Sequence, residues 1–200
     1  MSQTLPEVES KNWKASFFTV WVGQAFSLFG STLVDFALVW YLTKTTGSAT
    51  VLALSTLVVL LPRIVFGPFI GALVDRWDRR LVMILADSFV AMAIVALAGI
   101  FWIDRIAVWH IYLIMFIRAL AEGFHFPAMQ ASTSLMVPKE HLSRIAGLNQ
   151  ALNGAMNIIA PPVGALLMTL IPIYAILSID VVTAMVAVTT LFFIPIPQPV

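Results

Sequence analysis

Cysteine is absent from this sequence, and charged residues are scarce. Without cysteine, no disulfide, thiolate metal site or cysteine nucleophile can form. Aspartate, glutamate, lysine and arginine make up 10% of the 200 residues, whereas soluble domains contain about a quarter. Hydrophobic residues make up 60%, and the mean hydropathy is +0.98. This composition predicts an integral membrane protein.

Signatures of catalysis and of nucleic-acid binding are also missing. The sequence has no Gly-x-Ser-x-Gly elbow, no His-Glu-x-x-His and no Gly-x-x-x-x-Gly-Lys-Ser/Thr phosphate loop. The net charge is +1, and the basic residues are spread through short loops. Three histidines that lie far apart give a metal site little to build on. We therefore expect no enzyme activity, cofactor, metal or nucleic-acid partner.

Six long apolar runs predict six transmembrane helices, and hence an all-α membrane protein. They cover residues 17–42, 49–74, 80–103, 106–127, 143–170 and 173–194. The runs do not alternate polar with apolar residues, and a lipid-exposed backbone must satisfy its hydrogen bonds within the segment, so barrel strands are excluded. We expect a longer polar connection only at residues 128–142.

The distribution of lysine and arginine predicts that both termini are cytoplasmic. Counting helices from the N-terminus places seven basic residues on one side and only Lys44 and Arg105 on the other. The seven are Lys11, Lys14, Arg76, Arg79, Arg80, Lys139 and Arg144. We expect a cytoplasmic tail at residues 1–16, a bundle at residues 17–194 and a central cytoplasmic linker starting at residues 195–200. Alternating prolines there stop the last helix, which suggests a truncated twelve-helix protein, because transporters are often built from six-helix halves.

The fourth run contains Arg118, Glu122 and His125, which share one helical face. Arg118 and Glu122 either neutralise each other and help packing, or line a cavity where Glu122 exchanges a proton. Asp35, alone on the first run, is either hydrogen-bonded near the interface or part of a proton or cation site.

Asn149, Asn153 and Asn157 follow at four-residue intervals on the fifth run. These amides either hold helices together by hydrogen bonds or line a substrate path. For Arg63, Asp87 and Asp180 we expect pairing between helices, for example Asp87 with a basic residue of the turn at residues 71–80. Gly67 and Gly71 suggest tight helix packing.

These motifs resemble the N-terminal half of a major facilitator superfamily transporter. The superfamily signature Gly-x-Leu-Ala-Asp-Arg-x-Gly-Arg-Lys is matched in register but departs at Val74 and Asp78. The matching positions are Gly71, Leu73, Asp75, Arg76, Arg79 and Arg80. Arg118 followed by Gly123 is similar to the family's fourth-helix motif. Ala160, Pro161 and Gly164 are similar to its antiporter motif, with alanine in place of the first glycine.

Within the superfamily, stretches such as LPRIVFGPFIGALVDRWDRR and TGSA resemble the macrolide-type exporters. This resemblance implies export of a bulky amphipathic compound in exchange for protons, with two six-helix halves rocking in a plasma membrane such as the bacterial inner membrane. It implies proton coupling at Arg118, gating by the 71–80 turn, and a hinge at Ala160, Pro161 and Gly164. The alternatives are a non-transporting six-helix scaffold or subunit and, more remotely, an intramembrane enzyme.

Overall fold

The computed structural model describes residues 13–197, and this part of the chain contains six α-helices. They are α1 (Trp13–Thr46), α2 (Ala49–Val74), α3 (Arg79–Trp102), α4 (Val108–Met136), α5 (Leu142–Leu170) and α6 (Ile173–Phe193). Each is long and apolar enough to cross a membrane. The all-α fold is therefore confirmed. The predicted tail lies mostly outside the described residues, as do residues 198–200.

Four helices form the packed part of the bundle, with α6 against α1 and α3, and α4 against α3. Helix α2 packs on α4, and α5 packs on α1. Buried apolar side chains gather in two clusters, one at each end of the bundle. Phe17, Val82 and Met136 belong to the cluster near the start of α1. Leu38, Leu97 and Ile111 belong to the other.

Two glycines of α1 allow α6 to approach closely. A methyl group on Gly23 would lie 2.6 Å from the hydroxyl of Thr190, and one on Gly30 would lie 3.0 Å from the Cα atom of Asp180. Both glycines are buried. Since small residues bring helix backbones together in membranes, this seven-residue repeat positions Asp180 beside α1.

Helices α2 and α5 are far less covered than the other four. Between residues 13 and 197, α2 buries only Ser55, Pro62, Ile70 and Val74, and α5 only Ile145, Ala160 and Gly164. A methyl group on Gly67 or Gly71 would meet nothing within 4 Å. The expectation that these two glycines serve tight packing is wrong within this bundle, because their face of α2 is open.

The predicted connection at residues 128–142 is also wrong. Helix α4 continues through Pro127 to Met136, and a short 3-10 turn at Lys139–His141 leads into α5. Proline removes one backbone donor, but Ala128, Ser132 and Met136 are buried beyond it. Packing of this extra segment therefore outweighs the local preference for a break.

Candidate functional site

The open side of the bundle contains a cavity of about 1340 Å³, lined chiefly by α1, α2, α4 and α5. All six residues predicted for a proton or substrate cavity are among its lining residues: Asp35, Arg118, Glu122, Asn149, Asn153 and Asn157. Further polar or charged lining residues include Ser31, Arg63, Asp87, His125 and Asp180. The structure thus brings side chains from all six helices to one space.

Arg118 is the most heavily bonded polar side chain of the cavity. Its Nε donates to Asp35 Oδ1 at 3.0 Å, Nη1 to Asp180 Oδ2 at 2.7 Å, and Nη2 to the carbonyl oxygen of Ser31 at 3.0 Å. A planar guanidinium presents donors in a fixed fork, so one side chain of α4 connects α1 with α6. The side chain is only 8% exposed.

The two carboxylates bound to Arg118 differ in accessibility. The side chain of Asp180 is 3% exposed and also accepts from Ser31 Oγ at 3.0 Å. The side chain of Asp35 is 59% exposed towards the cavity. Asp180 was expected to pair between helices, as it does, but not to belong to the site. The sequence signal that could have placed Asp180 in the site is that it is the one charged residue within Ile173–Phe193.

Glu122 pairs with Arg63 of α2 and not with Arg118. The alternative of an internal Arg118–Glu122 pair is therefore wrong, because both arginines find carboxylates on other helices. Both side chains of the Arg63–Glu122 pair are about half exposed, at 45% and 55%. This pair links α2 to α4 on the wall of the cavity.

The three asparagines of α5 make two kinds of hydrogen bond. Asn149 Oδ1 accepts from Trp21 Nε1 at 2.6 Å and so joins α5 to α1. The amides of Asn153 and Asn157 each donate to a backbone carbonyl one turn earlier on α5, at 2.9 Å. Within residues 13–197, Asn149 is therefore the one asparagine of the three that bonds another helix.

Asp87 of α3 lies 3.5 Å from His125 of α4, measured from Oδ1 to Nε2. Its expected partner in the 71–80 turn is thus wrong, because the side chain of Asp87 faces the cavity and not the helix end. The sequence spacing predicts that His125 shares a helical face with Arg118. It does not predict that Asp87 of α3 is the partner of His125.

The 71–80 turn joins α2 to α3 and also grips α6. Asp75 is the C-cap of α2. Asp78 Oδ1 accepts a hydrogen bond from the backbone N–H of Leu81 at 3.0 Å. Asp78 is therefore the N-cap of α3, which explains an aspartate where the family signature has glycine. Arg80 donates to the carbonyl oxygens of Leu191 and Phe192 at 2.6 and 2.7 Å, which belong to the last turn of α6, where carbonyls lack partners within the helix.

The Ala160–Pro161–Gly164 segment lies where α5 meets α1. Ala160 is fully buried, and a methyl group on Gly164 would lie 2.7 Å from the ring of Phe36. Pro161 lines the cavity. The small residues are needed here because the aromatic ring of α1 occupies the space that a larger side chain would take.

Six membrane-crossing helices around a cavity with charged and amide side chains in its wall define the class, an α-helical integral membrane protein of the kind that includes membrane transporters. The chain belongs to the Major Facilitator Superfamily, whose family model matches residues 20–200. Its fold is one half of that superfamily's fold. Membership points to a transporter and not to an enzyme. In addition, no group of three or more potential metal ligands occurs in the described part of the chain.

Two curated relatives are macrolide efflux proteins. The chain is 43% identical to macrolide efflux protein A of Streptococcus pyogenes over 187 residues, which cover 94% of this chain and 46% of the relative. It is 42% identical to macrolide efflux protein A of Enterococcus faecalis over 152 residues, or 76% of this chain and 47% of the relative. A more distant relative, 27% identical over 90% of this chain and 40% of its own length, is the uncharacterized MFS-type transporter YkuC of Bacillus subtilis. The chain spans about half the length of these relatives.

Proposed function

We propose that this chain forms the N-terminal half of a secondary active transporter that exports bulky amphipathic small molecules, of the macrolide or multidrug type, in exchange for protons. The observation that carries the proposal is the convergence of charged and amide side chains on one large cavity, on the side of the bundle where α2 and α5 bury few residues. Intramembrane charges are costly and mark transport pathways.

The size and lining of the cavity suit a large ligand of mixed polarity. Its volume of about 1340 Å³ exceeds the roughly 300–1,000 Å³ that is usual for drug-sized ligands. Phe36, Phe126 and Met156 supply apolar surface, while Asp35 and the asparagines supply polar groups. The cavity therefore offers contacts to both parts of an amphipathic compound.

Asp35 is the residue that we assign to proton coupling, together with Arg118. Its carboxylate is exposed to the cavity and shares the guanidinium with a second, buried carboxylate. Protonation of Asp35 would break one ion pair while Asp180 keeps Arg118 neutralised. A local change of this kind can bias the inward-facing and outward-facing states of a carrier.

The uncovered faces of α2 and α5 are the surface that a second six-helix half would complete. Relatives about twice the length of this chain support such a partner, and opposed halves around a central site are typical of secondary transporters. We further propose that the carrier lies in a plasma membrane, such as the bacterial inner membrane, with both termini cytoplasmic. The excess of basic residues on one side of the bundle supports this orientation.

The 71–80 turn is proposed to act as a cytoplasmic gate, with Gly71, Asp75, Arg76, Arg79 and Arg80 as its residues. Arg80 already bonds the end of α6, so movement of α2 and α3 would be transmitted to that helix. Replacement of Asp75 with asparagine should reduce transport without preventing insertion in the membrane.

Pro161, between Ala160 and Gly164, is proposed as the hinge of α5, because proline weakens a helix at the preceding turn.

The proposal is tested by macrolide accumulation in cells that express the full-length protein. We expect lower accumulation than in cells without it, and recovery of accumulation when the proton gradient is collapsed. Asp35→Asn should abolish the difference while the protein remains in the membrane, and Asp104→Asn, in a loop outside the cavity, should not. Export that is indifferent to the proton gradient would contradict proton coupling. The scaffold alternative, which family membership does not favour, requires no export at all.

A further inference from the structure

Asp87 and His125 form a second ionisable pair inside the bundle, separate from the Arg118 cluster. Their side chains are 13% and 20% exposed, and both line the cavity. His125 lies seven residues after Arg118 on α4, which corresponds to about 10 Å along the helix axis. The pair therefore lies deeper towards the end of the bundle that contains the 71–80 turn.

The geometry of the pair is too loose for a static brace between α3 and α4. The separation of 3.5 Å exceeds the length of a charge-assisted hydrogen bond, about 2.7–2.9 Å. Asp87 Oδ2 and His125 Nε2 are both buried without a hydrogen-bond partner within residues 13–197. Leaving such groups unsatisfied costs free energy, so the arrangement is better suited to a group that gains and loses a bond.

The charged residues near Asp87 on α2, α4 and α6 are paired with other groups and do not neutralise its carboxylate. Glu122 lies one turn before His125 on α4, and Arg63 of α2 is bound to Glu122. At the start of α3, Arg80 is bonded to α6, and Arg79 lies eight residues before Asp87, about 12 Å away along the helix. The one charged residue of α6, Asp180, is bound by Arg118. Within this set, His125 is the group placed to neutralise Asp87.

We propose that Asp87 and His125 form a second proton-carrying site of the carrier, between the cavity and the side of the membrane that contains the 71–80 turn. In the neutral ring one proton is bound to Nε2, on the side that faces the carboxylate, since Nε2 and the carboxylate oxygen would otherwise present lone pairs to each other. Uptake of a second proton at Nδ1, from hydronium in the cavity, leaves water and yields an imidazolium that cancels the charge of Asp87. Release of that proton to water restores the neutral ring.

The Arg118–Asp35 pair and the Asp87–His125 pair differ in which side chain can gain or lose a proton. Arginine does not lose its proton in proteins, so Arg118 acts only as a fixed charge for Asp35. Histidine is the side chain that changes charge nearest to neutral pH. His125 lies on the same face of α4 as Arg118. A proton that leaves Asp35 therefore has an acceptor in His125, which lies about 10 Å further along α4 than the Arg118 that binds Asp35, and water in the cavity can bridge such a distance. This inference rests on the proposed proton-coupled function.

The test uses the full-length carrier in proteoliposomes, with a macrolide as the probe. His125→Gln and Asp87→Asn should each lower efflux driven by an imposed pH gradient by about 100-fold, the range for a lost proton-transfer group. Substrate exchange at equal pH, which needs no net proton movement, should fall much less. His141→Gln is the matched control, because that histidine stacks on Trp13 outside the cavity, and it should resemble wild type.

His125→Arg separates a proton carrier from a fixed ion pair. A permanent cation would satisfy Asp87 and preserve packing, so a structural role predicts recovery of gradient-driven efflux, whereas a proton-carrying role predicts none. Recovery by His125→Arg, unchanged gradient-driven efflux in His125→Gln, or an equal loss of exchange and gradient-driven efflux in all three variants would overturn this inference alone. Wild-type efflux without any dependence on the pH gradient would instead overturn the proposed function.

Discussion

Asp180 and Asp35 bind the same guanidinium from opposite surroundings. Asp180 lies between helices, nearly inaccessible, with Ser31 as a second partner, whereas Asp35 faces the cavity and is more than half exposed. Water can replace the contact of Asp35 with Arg118 but not that of Asp180. The same arginine therefore has one ion pair that is closed to water and one that water can reach.

Removal of the buried carboxylate should have the largest effect. Asp180→Ala leaves Arg118 buried with one exposed partner, and breaking a buried ion pair costs about 3–5 kcal/mol. We expect a large fall in the unfolding temperature of the purified protein, monitored by tryptophan fluorescence in detergent. An unfolding temperature equal to that of wild type would show that Arg118 does not depend on Asp180.

Gly30→Ala should come next, because it disturbs the position of Asp180 without removing its charge. The added methyl group would lie 3.0 Å from the Cα atom of Asp180 and would contact Thr183, and overpacking of this kind costs about 1–3 kcal/mol. Gly99→Ala is the matched control, since nothing lies within 4 Å of that site on α3. A stability loss of the same size in both variants would contradict the role of Gly30 in the α1–α6 contact.

Asp35→Ala should cost far less stability than Asp180→Ala, although both remove a carboxylate from the same arginine. The carboxylate is 59% exposed, and exposed ion pairs contribute about 1 kcal/mol or less. Transport, in contrast, should be lost. The measurements are thermal unfolding and macrolide efflux on the same preparations. Equal destabilisation by the two aspartate variants would remove the distinction between a structural and an exchangeable carboxylate.

The smallest effect is expected at Arg63 and Glu122. A double-mutant cycle with Arg63→Gln and Glu122→Gln should give a coupling free energy of about 0.5 kcal/mol, because both side chains are about half exposed. Unfolding of the single and double variants in detergent provides the cycle. A coupling as large as that expected for Asp180 would mean that exposure does not decide the strength of ion pairs in this cavity.

Much of the fold could be predicted from the sequence because lipid imposes strong constraints. Six runs of apolar residues gave six helices, and α2 was predicted with the bounds that it has. The error at residues 128–142 arose because Pro127 resembles a helix end in local terms. Burial of Met136 in the cluster near the start of α1, which no local pattern reveals, carries α4 past it.

The candidate site was predictable as a set of residues but not as a set of contacts. Isolated charges and amides in apolar runs drew attention to Asp35, Arg118 and the asparagines, since each needs a partner or water. Which partner each one found depended on how the helices pack. Asp87 was assigned to the wrong partner, and Glu122 was given Arg118 as one alternative, because spacing along one helix does not reveal which side chains a neighbouring helix presents.

The sequence by itself determined that the chain crosses a membrane as six helices, that it has the signatures of its superfamily, and which polar residues enter the bundle. Only the tertiary structure decided that Arg118 binds two aspartates of unequal exposure, that Arg63 takes Glu122, and that Asp87 meets His125. The physical reason is the range of the forces involved. Hydrophobic transfer acts on each segment separately, whereas an ion pair needs two atoms within about 4 Å, and only the packing of different helices brings them that close.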